Sequence, residues 1–409
     1  MNKNVLVLLS SNAQKRFFQD LKSKYRLIFV LIDKNKSPLT NIQVLKTKLK
    51  DDRLMIDAVV PVNDKTSVIA SLLVQEFNLI GSRPLAVCQA QHKGIATKIF
   101  EELGLTIGAT TYLTPANFMQ NLNLLDYPVF YKPVKGSLSI NAGFAHSATV
   151  LQKVLIELFN QDSKYLSWYK QVFQAYLPSG TKTNAFVIQP VVKGRQFTAD
   201  GFIYQHQVFF TGITESIMHD QFYSFKRFDF PAQLPFKLLA KLKTGVQDFA
   251  QQLDFNNSAF NVEFFVTPAQ KLHFIEFNTR LSFQFTPLFN NYYQTNYLTM
   301  LIKLALGEKP TLKKQPNLKK TSCCILRSKT DRFVNKIPSK SELKRLTTAN
   351  ADLLGIRVFV KENHYLSESI QDSYSYRYAS LDIQGEDFQQ INKKFIELKP
   401  QLDACFGFR

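Results

Sequence analysis

Two carboxylates and an amide interrupt a pair of otherwise apolar runs late in the chain. The first run is Phe260-Asn261-Val262-Glu263-Phe264-Phe265-Val266. The second, Lys271-Leu272-His273-Phe274-Ile275-Glu276-Phe277-Asn278-Thr279-Arg280, follows a turn around Pro268. Both read as β-strands. Side chains alternate faces with period two, so Asn261 shares a face with Glu263, and Glu276 shares one with Asn278. Paired as a hairpin, the strands bring Glu263, Glu276 and Asn278 to one face. A buried carboxylate without a partner is costly, and a cation resolves that cost. Hard oxygen donors of this kind suit Mg2+, which is held by one or two carboxylates together with substrate phosphates. A salt-bridged surface hairpin, with Arg280 and Lys271 as partners, is the competing reading.

A second constellation lies upstream, in Tyr127-Pro128-Val129-Phe130-Tyr131-Lys132-Pro133-Val134-Lys135-Gly136-Ser137-Leu138-Ser139-Ile140-Asn141-Ala142-Gly143. A lysine ending an apolar strand and followed by a Gly/Ser loop suits phosphate. The loop's N–H groups can wrap an anion, and Lys132 supplies charge. GxxxxGK[ST] is absent, so this is no P-loop, and an ordinary turn between two strands has the same composition.

The elements that must position these residues follow from periodicity. Val5–Leu9, Leu27–Ile32 and Ala58–Val62 read as strands, alternating with helical patterns at Ala13–Lys24 and Thr66–Phe77. That alternation predicts a small parallel α/β sheet. No GxGxxG follows the first strand, which argues against a dinucleotide site. Lys93–Leu103 reads as a helix closed by Gly104, followed by a strand near Ala109–Leu113. Strand, loop and strand span Tyr127–Gly143, a helix covers Ala148–Asn160, and a polar, aromatic-rich segment runs to Thr183. Phe186–Pro190 and Gln196–Tyr204 read as strands about the Gly194 turn. Phe236–Leu253 is a helix, as is Gln294–Leu306, closed by Gly307. Pro310, Pro316 and a Lys-rich stretch mark a boundary. Beyond it, Ser322–Arg327, Arg357–Val360 and Tyr376–Leu381 read as strands before a last helix from Glu386 to Phe395 or beyond.

The 409 residues are too many for one ordinary core and fit two or three lobes. At 45% hydrophobic and 13% aromatic the chain is globular rather than disordered. Its apolar runs are strand-sized, far below the roughly 18 residues that cross a bilayer. With no cleavable leader visible, a cytoplasmic location is expected. Cys88, Cys323, Cys324 and Cys405 show no metal spacing and read as packed thiols. The net charge of +19 concentrates between Glu308 and Arg345, where twelve basic side chains face three acidic ones. No zinc finger, RNP-type aromatic signature or GxxG clamp accompanies it, so a solvated basic face is the reading preferred over nucleic-acid binding.

The order of these pieces, over residues of about 60 to 310, resembles the ATP-grasp superfamily, in particular its carboxylate–amine ligases and the carbamoyl-phosphate-synthetase and biotin-carboxylase branch. Gln91-His92-Lys93-Gly94, leading to Leu103-Gly104-Leu105, is similar to the family's DK…GLP opening. The resemblance implies Lys93 and Lys132 as ATP-phosphate lysines and Gly136, Ser137 and Ser139 as the glycine-rich loop. Val187 to Gln196 looks like the interlobe hinge, with the backbone of Gln189 and Val192 facing adenine and Gln196 gripping ribose. Glu263, Glu276 and Asn278 match the magnesium ligands, and Arg280 the catalytic arginine that steadies the transferred phosphoryl group. The segment from Arg377 through Gly385 resembles the small C-terminal lobe of the same branch.

What the resemblance implies is a mixed α/β and α+β, ATP-grasp architecture. An N-terminal parallel α/β domain covers 1–90. A two-lobed ATP-grasp core covers 91–308 (about 112–190, then 191–308), and an α+β lobe covers 309–409. The implied activity is ATP- and Mg2+-dependent (Mn2+ as a substitute) activation of a carboxylate as an acyl phosphate for attack by an amine. The partners are then small-molecule acids and amines, and a homodimer is compatible with them. A non-catalytic nucleotide sensor and a basic nucleic-acid or anionic-surface binder are the alternatives. Departures from the family pattern include neutral Gln189 and Gln196 at positions usually acidic, His92 where aspartate is usual, and Leu281-Ser282-Phe283 in place of a proline–glycine run. Glu215, His219, Tyr292 and Tyr293 are secondary candidates for the acceptor side.

Overall fold

The computed structural model describes residues 3–136, 139–161, 164–219, 224–311, 319–369, 371 and 375–409. Val5–Leu9 are all fully buried and form the centre of a three-stranded parallel sheet, flanked by Arg26–Leu31 and Ala58–Pro61. A strand buried on both faces needs such a continuous apolar run, with helices covering the sheet. The helix Asp64–Glu76 starts at Asn63, whose side chain accepts from the Thr66 N–H while the Thr66 hydroxyl bonds back to Asn63. This reciprocal cap fixes the helix start directly after the third strand.

A four-stranded sheet runs in the order Thr111–Leu113, Phe186–Pro190, Val129–Pro133, Gly143–Ala145. An eight-stranded sheet runs in the order Leu272–Asn278, Ser258–Val266, Arg195–Tyr204, Gln207–Met218, Phe225–Phe230, Lys320–Ser328, Tyr376–Gly385, Leu353–Val358. Residues 191–194 carry the chain from the first of these sheets to the second. The expected fold class is observed: a parallel N-terminal sheet, two antiparallel sheets meeting at that link, and a C-terminal α+β part. No helix among the described residues is long and apolar enough to cross a membrane.

Three elements differ from the periodicity reading. The segment expected as a helix over Ala13–Lys24 is a 3-10 helix, Asn12–Leu21. Its buried residues, Phe18 and Leu21, stand three apart, the spacing at which 3-10 side chains eclipse. The helix expected over Gln294–Leu306 is broken. Gln294 adopts a left-handed φ of 51° and ends a helix Thr286–Tyr293, and the Asn296 side chain accepts from the Leu298 N–H before Thr299–Ala305 begins. The aromatic-rich segment before Thr183 contains a helix, Lys164–Tyr176. Its buried Trp168, Tyr169, Val172 and Phe173 join the core of the N-terminal helices Pro38–Asp51 and Pro84–Gln91.

Candidate active site

The acidic hairpin forms as its alternation requires. Asn261 lies opposite Asn278 and Glu263 opposite Glu276, with a bulge immediately after Glu263. The non-bonded faces of these strands pack phenylalanines, Phe260 on Phe277 and Phe264 on Phe274, so the polar face is set by the apolar one. Two carboxylates directly across an antiparallel pair repel. Burial, and then the neighbouring Glu276, push Glu263 up to about 8. Burial also works against charge on Glu276, but Lys93 outweighs it and holds that carboxyl at about 2. Burial and mutual repulsion thus oppose full charge on both members of the pair at once.

Lys93 reaches this pair from the first residue of the helix Lys93–Glu102. Its Nζ lies 2.7 Å from Glu276 Oε2 and donates to the Gly136 carbonyl at 3.1 Å, while its backbone N–H bonds Val134 O at 2.7 Å. The lysine thus ties the loop at Gly136 to the acidic hairpin. His92 supplies the helix cap: its Nδ1 accepts from the Ile95 N–H, and its Nε2 pairs with Lys182 O at 3.2 Å. His92 is thus an N-cap, a role that aspartate can equally fill with its side-chain acceptor.

Lys132 ends the strand Val129–Pro133, is buried, and donates to the carbonyl of Ile275 at 2.9 Å. Burial drives its ammonium down to about 7, with Lys93 adding to the push. A cation held this dry beside a second cation is poised for an anion. Gly136 leaves no room for a side chain, because a Cβ would sit 2.9 Å from Pro133 Cγ. Ser139 adopts a left-handed φ of 54° in the turn that returns the loop to its next strand, and its carbonyl accepts from the Ala142 N–H. Ser137 lies outside the described residues.

Asn278 donates to Glu276 Oε1 at 3.1 Å and to Asn261 Oδ1 at 3.2 Å. Asn261 in turn donates to Asp200 and Ser282, and Asp200 accepts from the Ser282 N–H at 2.7 Å. Burial raises Asp200 to about 7 despite those bonds. Arg280 places Nε 2.9 Å from Asp64 Oδ1. Gln196 donates to Glu263 at 3.4 Å, so it stands beside the carboxylate pair. At the link, Gln189 is buried with its amide 3.4 Å from Thr110 Oγ1, and Val192 is half-buried. Gly194 approaches Val266 O so closely that a Cβ would lie 2.5 Å away.

Of the secondary candidates, Glu215, Tyr292 and Tyr293 have side-chain partners of their own. Glu215 forms a bidentate pair with Arg195, both contacts at 2.6 Å. Tyr293 donates to Thr211 O, Tyr292 packs edge-on against Phe230, and the His219 N–H bonds Ser224 O. Asp64, Lys135, Asp200 and Asn261 belong to the network without having been singled out. A signal for Asp64 existed: ligands gather beyond the carboxyl ends of parallel strands, and Asp64 follows Ala58–Pro61 by three residues. For Asp200 the signal was a carboxylate inside Phe197–Ile203, a run too apolar to leave it unpartnered.

The donor set can be tested against a divalent cation. Two adjacent, half-buried carboxylates and an amide oxygen offer hard ligands, and burial and mutual repulsion disfavour charge on both carboxylates unless a cation balances it. The set fits Mg2+. Among the described residues no cluster of three or more His, Cys, Asp or Glu competes with it.

A family model described as an ATP-grasp domain matches residues 125–285. No curated protein sequence matches significantly. Among solved structures, an L-amino acid ligase from Bacillus licheniformis superposes with a TM-score of 0.76 at 13% identity, covering 100% of this chain and 98% of the other. A biotin carboxylase from Campylobacter jejuni gives 0.65 at 16% identity, covering 100% and 92%. An N5-carboxyaminoimidazole synthetase from Staphylococcus aureus, complexed with ADP, gives 0.66 at 13%, covering 97% and 98%. Identities this low speak for the fold alone. The span that matches an ATP-grasp domain, residues 125–285, takes in the Gly/Ser loop, the link between the sheets and the acidic hairpin.

Proposed function

We propose that this protein is an ATP- and Mg2+-dependent ligase that activates a carboxylate as an acyl phosphate for attack by an amine, with amino acids as the substrate class. The observation that carries the reading is the convergence of Lys93, Lys132, Arg280 and the Glu263/Glu276/Asn278 face at the meeting of the two antiparallel sheets. The similarity to an L-amino acid ligase supports the choice of acid and amine. We take 1–90 as the N-terminal domain, 91–308 as the ATP-grasp core and 309–409 as the C-terminal lobe.

Glu263, Glu276 and Asn278 would hold the metal. When bound, Mg2+ supplies charge neutralisation for the phosphates and a fixed template for them. The chain's own residues do the rest. Lys93 and Lys132 carry the phosphate charge, and the loop around Gly136 brings backbone N–H groups to it. The link at Gln189 and Val192 offers backbone to the base, and Gln196 stands between the link and the metal face. Arg280 meets the negative charge of the group in transfer. In the first half-reaction the substrate carboxylate oxygen bonds the γ-phosphorus as the bond to ADP breaks. In the second, the amine nitrogen bonds the acyl carbon and inorganic phosphate leaves. Positioning and charge account for the acceleration. All four cysteines are buried thiols, which fits a reducing cytoplasm.

The test is ADP and phosphate release from MgATP across pools of amino acids and small acids. Release that needs both an acid and an amine is expected. Glu276→Ala, which removes one metal ligand and the Lys93 partner, should lower turnover at least about 10³-fold with the fold retained. MgATP binding without release in any pool would leave a sensor in place of a ligase.

A further inference from the structure

Asp64 comes from the N-terminal domain, yet its carboxylate stands inside the site. It accepts from Arg280 Nε at 2.9 Å through Oδ1 and meets Lys135 Nζ at 3.5 Å through Oδ2. Burial opposes its charge, but Arg280, Lys135 and Lys93 together hold the carboxyl at about 2. The two basic partners come from different bodies. Arg280 follows the acidic hairpin, whereas Lys135 belongs to the phosphate loop, 3% exposed and lying under the Tyr169 ring at 4.6 Å.

The backbone around this contact is fixed independently of the ion pairs. Ser67, one turn along the same helix, bonds Thr279 O at 2.9 Å and Thr279 Oγ1 at 2.6 Å. Gln91 Nε2 donates to both Asp64 O and Thr279 Oγ1, at 3.0 and 2.8 Å. The residue before Arg280 is therefore bolted to the first turn of the helix that carries Asp64. Arg280's terminal guanidinium nitrogens, by contrast, make no hydrogen bond among the described residues. The end that is held is Nε, and the end left over is the fork that suits a phosphoryl or carboxylate group.

We propose that Asp64 is a positioning residue of the transfer step: it fixes Arg280 by Nε so that the guanidinium fork serves the group in flight, and through Lys135 it couples that orientation to the seating of the phosphate loop. The proposal rests on the ATP-site reading above. It asks for an effect on the transition state, with ground-state nucleotide binding left nearly alone.

Calorimetric titration of the full-length protein with MgADP, in the presence and absence of aluminium fluoride, tests it without knowledge of the acceptor. Fluoroaluminate stands in for the phosphoryl group in transfer, and the wild type should bind MgADP on the order of 10²-fold more tightly with it. Asp64→Asn should bind MgADP within about threefold of wild type and lose at least about tenfold of the fluoroaluminate gain. Asp64→Glu should recover part of it, and Arg280→Lys combined with Asp64→Asn should be no worse than Arg280→Lys alone. If Asp64→Asn does not fold, Ser67→Ala, which loosens the helix from Thr279 without touching a charge, must lower the gain in the same direction. A wild-type gain in Asp64→Asn overturns the proposal, as does a loss of MgADP affinity in step with it. A wild type that binds MgADP but gains nothing from fluoroaluminate overturns it too. Absence of MgADP binding by the wild type would instead strike the ATP-site reading first, so the two failures are told apart.

Discussion

At the scale of single residues, burial and named neighbours hold several of the site's charges off their ordinary values. His92 shows what this does to the molecule. It is 1% exposed, caps the helix that begins with Lys93, and burial with Lys135 and Lys93 nearby lowers it to about 4. His273, whose Nδ1 accepts from the Ile107 N–H, is lowered to about 4 by burial and Lys132. Both are neutral in the folded chain over a range where the unfolded chain, at about 6.5, takes up protons. Stability is then full above about pH 6.5 and is lost as pH falls toward 4. Between about pH 8 and pH 5 each histidine should cost about 2 kcal/mol. His92→Asn keeps a side-chain cap acceptor and removes the titration. Its urea midpoint should fall about half as far across that interval as the wild type's, while an unchanged pH slope would show that another group governs it.

Among the elements, the helix Lys164–Tyr176 packs its aromatic stripe on the N-terminal helices Pro38–Asp51 and Pro84–Gln91 and reaches the loop after Val129–Pro133 through Lys135. Trp168 receives Lys65 at 4.8 Å, Tyr169 receives Lys135, and Phe173 meets His92 edge-on at 5.6 Å. Phe173→Ala should cost about 3–5 kcal/mol, against less than about 0.5 kcal/mol for the exposed Leu124→Ala. It should also weaken MgADP binding with no nucleotide-facing group removed. Lost stability with unchanged MgADP affinity would reduce the helix to ordinary core. This element escaped the sequence reading because its buried stripe is aromatic and its other face polar, so the segment resembled a loop. The acidic hairpin and the helix at Lys93 were legible because period two and period 3.6 stand out in apolar runs. The helix Pro38–Asp51 and the strands Gln207–Met218 and Phe225–Phe230 were not assigned, being mixed in pattern and defined by sheet neighbours. Lys135 was invisible for a related reason: its meaning lies in a contact with Asp64 spanning 71 positions.

Across the whole molecule, several basic side chains after Glu308 make local contacts. Lys309 lies over Phe209, Lys319 pairs with Asp352, Lys336 with Glu342, and Arg332 covers Phe408. Lys313 and Lys314 fall outside the described residues. The same region continues the large sheet instead of standing apart from it. Phe225–Phe230 pairs with Lys320–Ser328, setting Phe228 against Cys323 and Asp229 against Ser322, whose hydroxyl donates to Asp229 at 2.6 Å. Arg227 reaches Asn392 in the final long helix, and Arg357 bonds Gln284 O a few residues beyond Arg280. A chain cut after 308 would therefore open a central strand as an edge and leave Arg227 and Asp229 without outside partners. Several hydrogen bonds of about 1 kcal/mol each and the burial around Phe228 would go with it, a loss comparable with a net stability of about 5–15 kcal/mol. The truncated chain should aggregate through the exposed edge and bind no MgADP. Recovery of a monomeric 1–308 fragment with a cooperative melt and wild-type MgADP affinity would show instead that the sheet's outer three strands are an appendage to a self-sufficient nucleotide site.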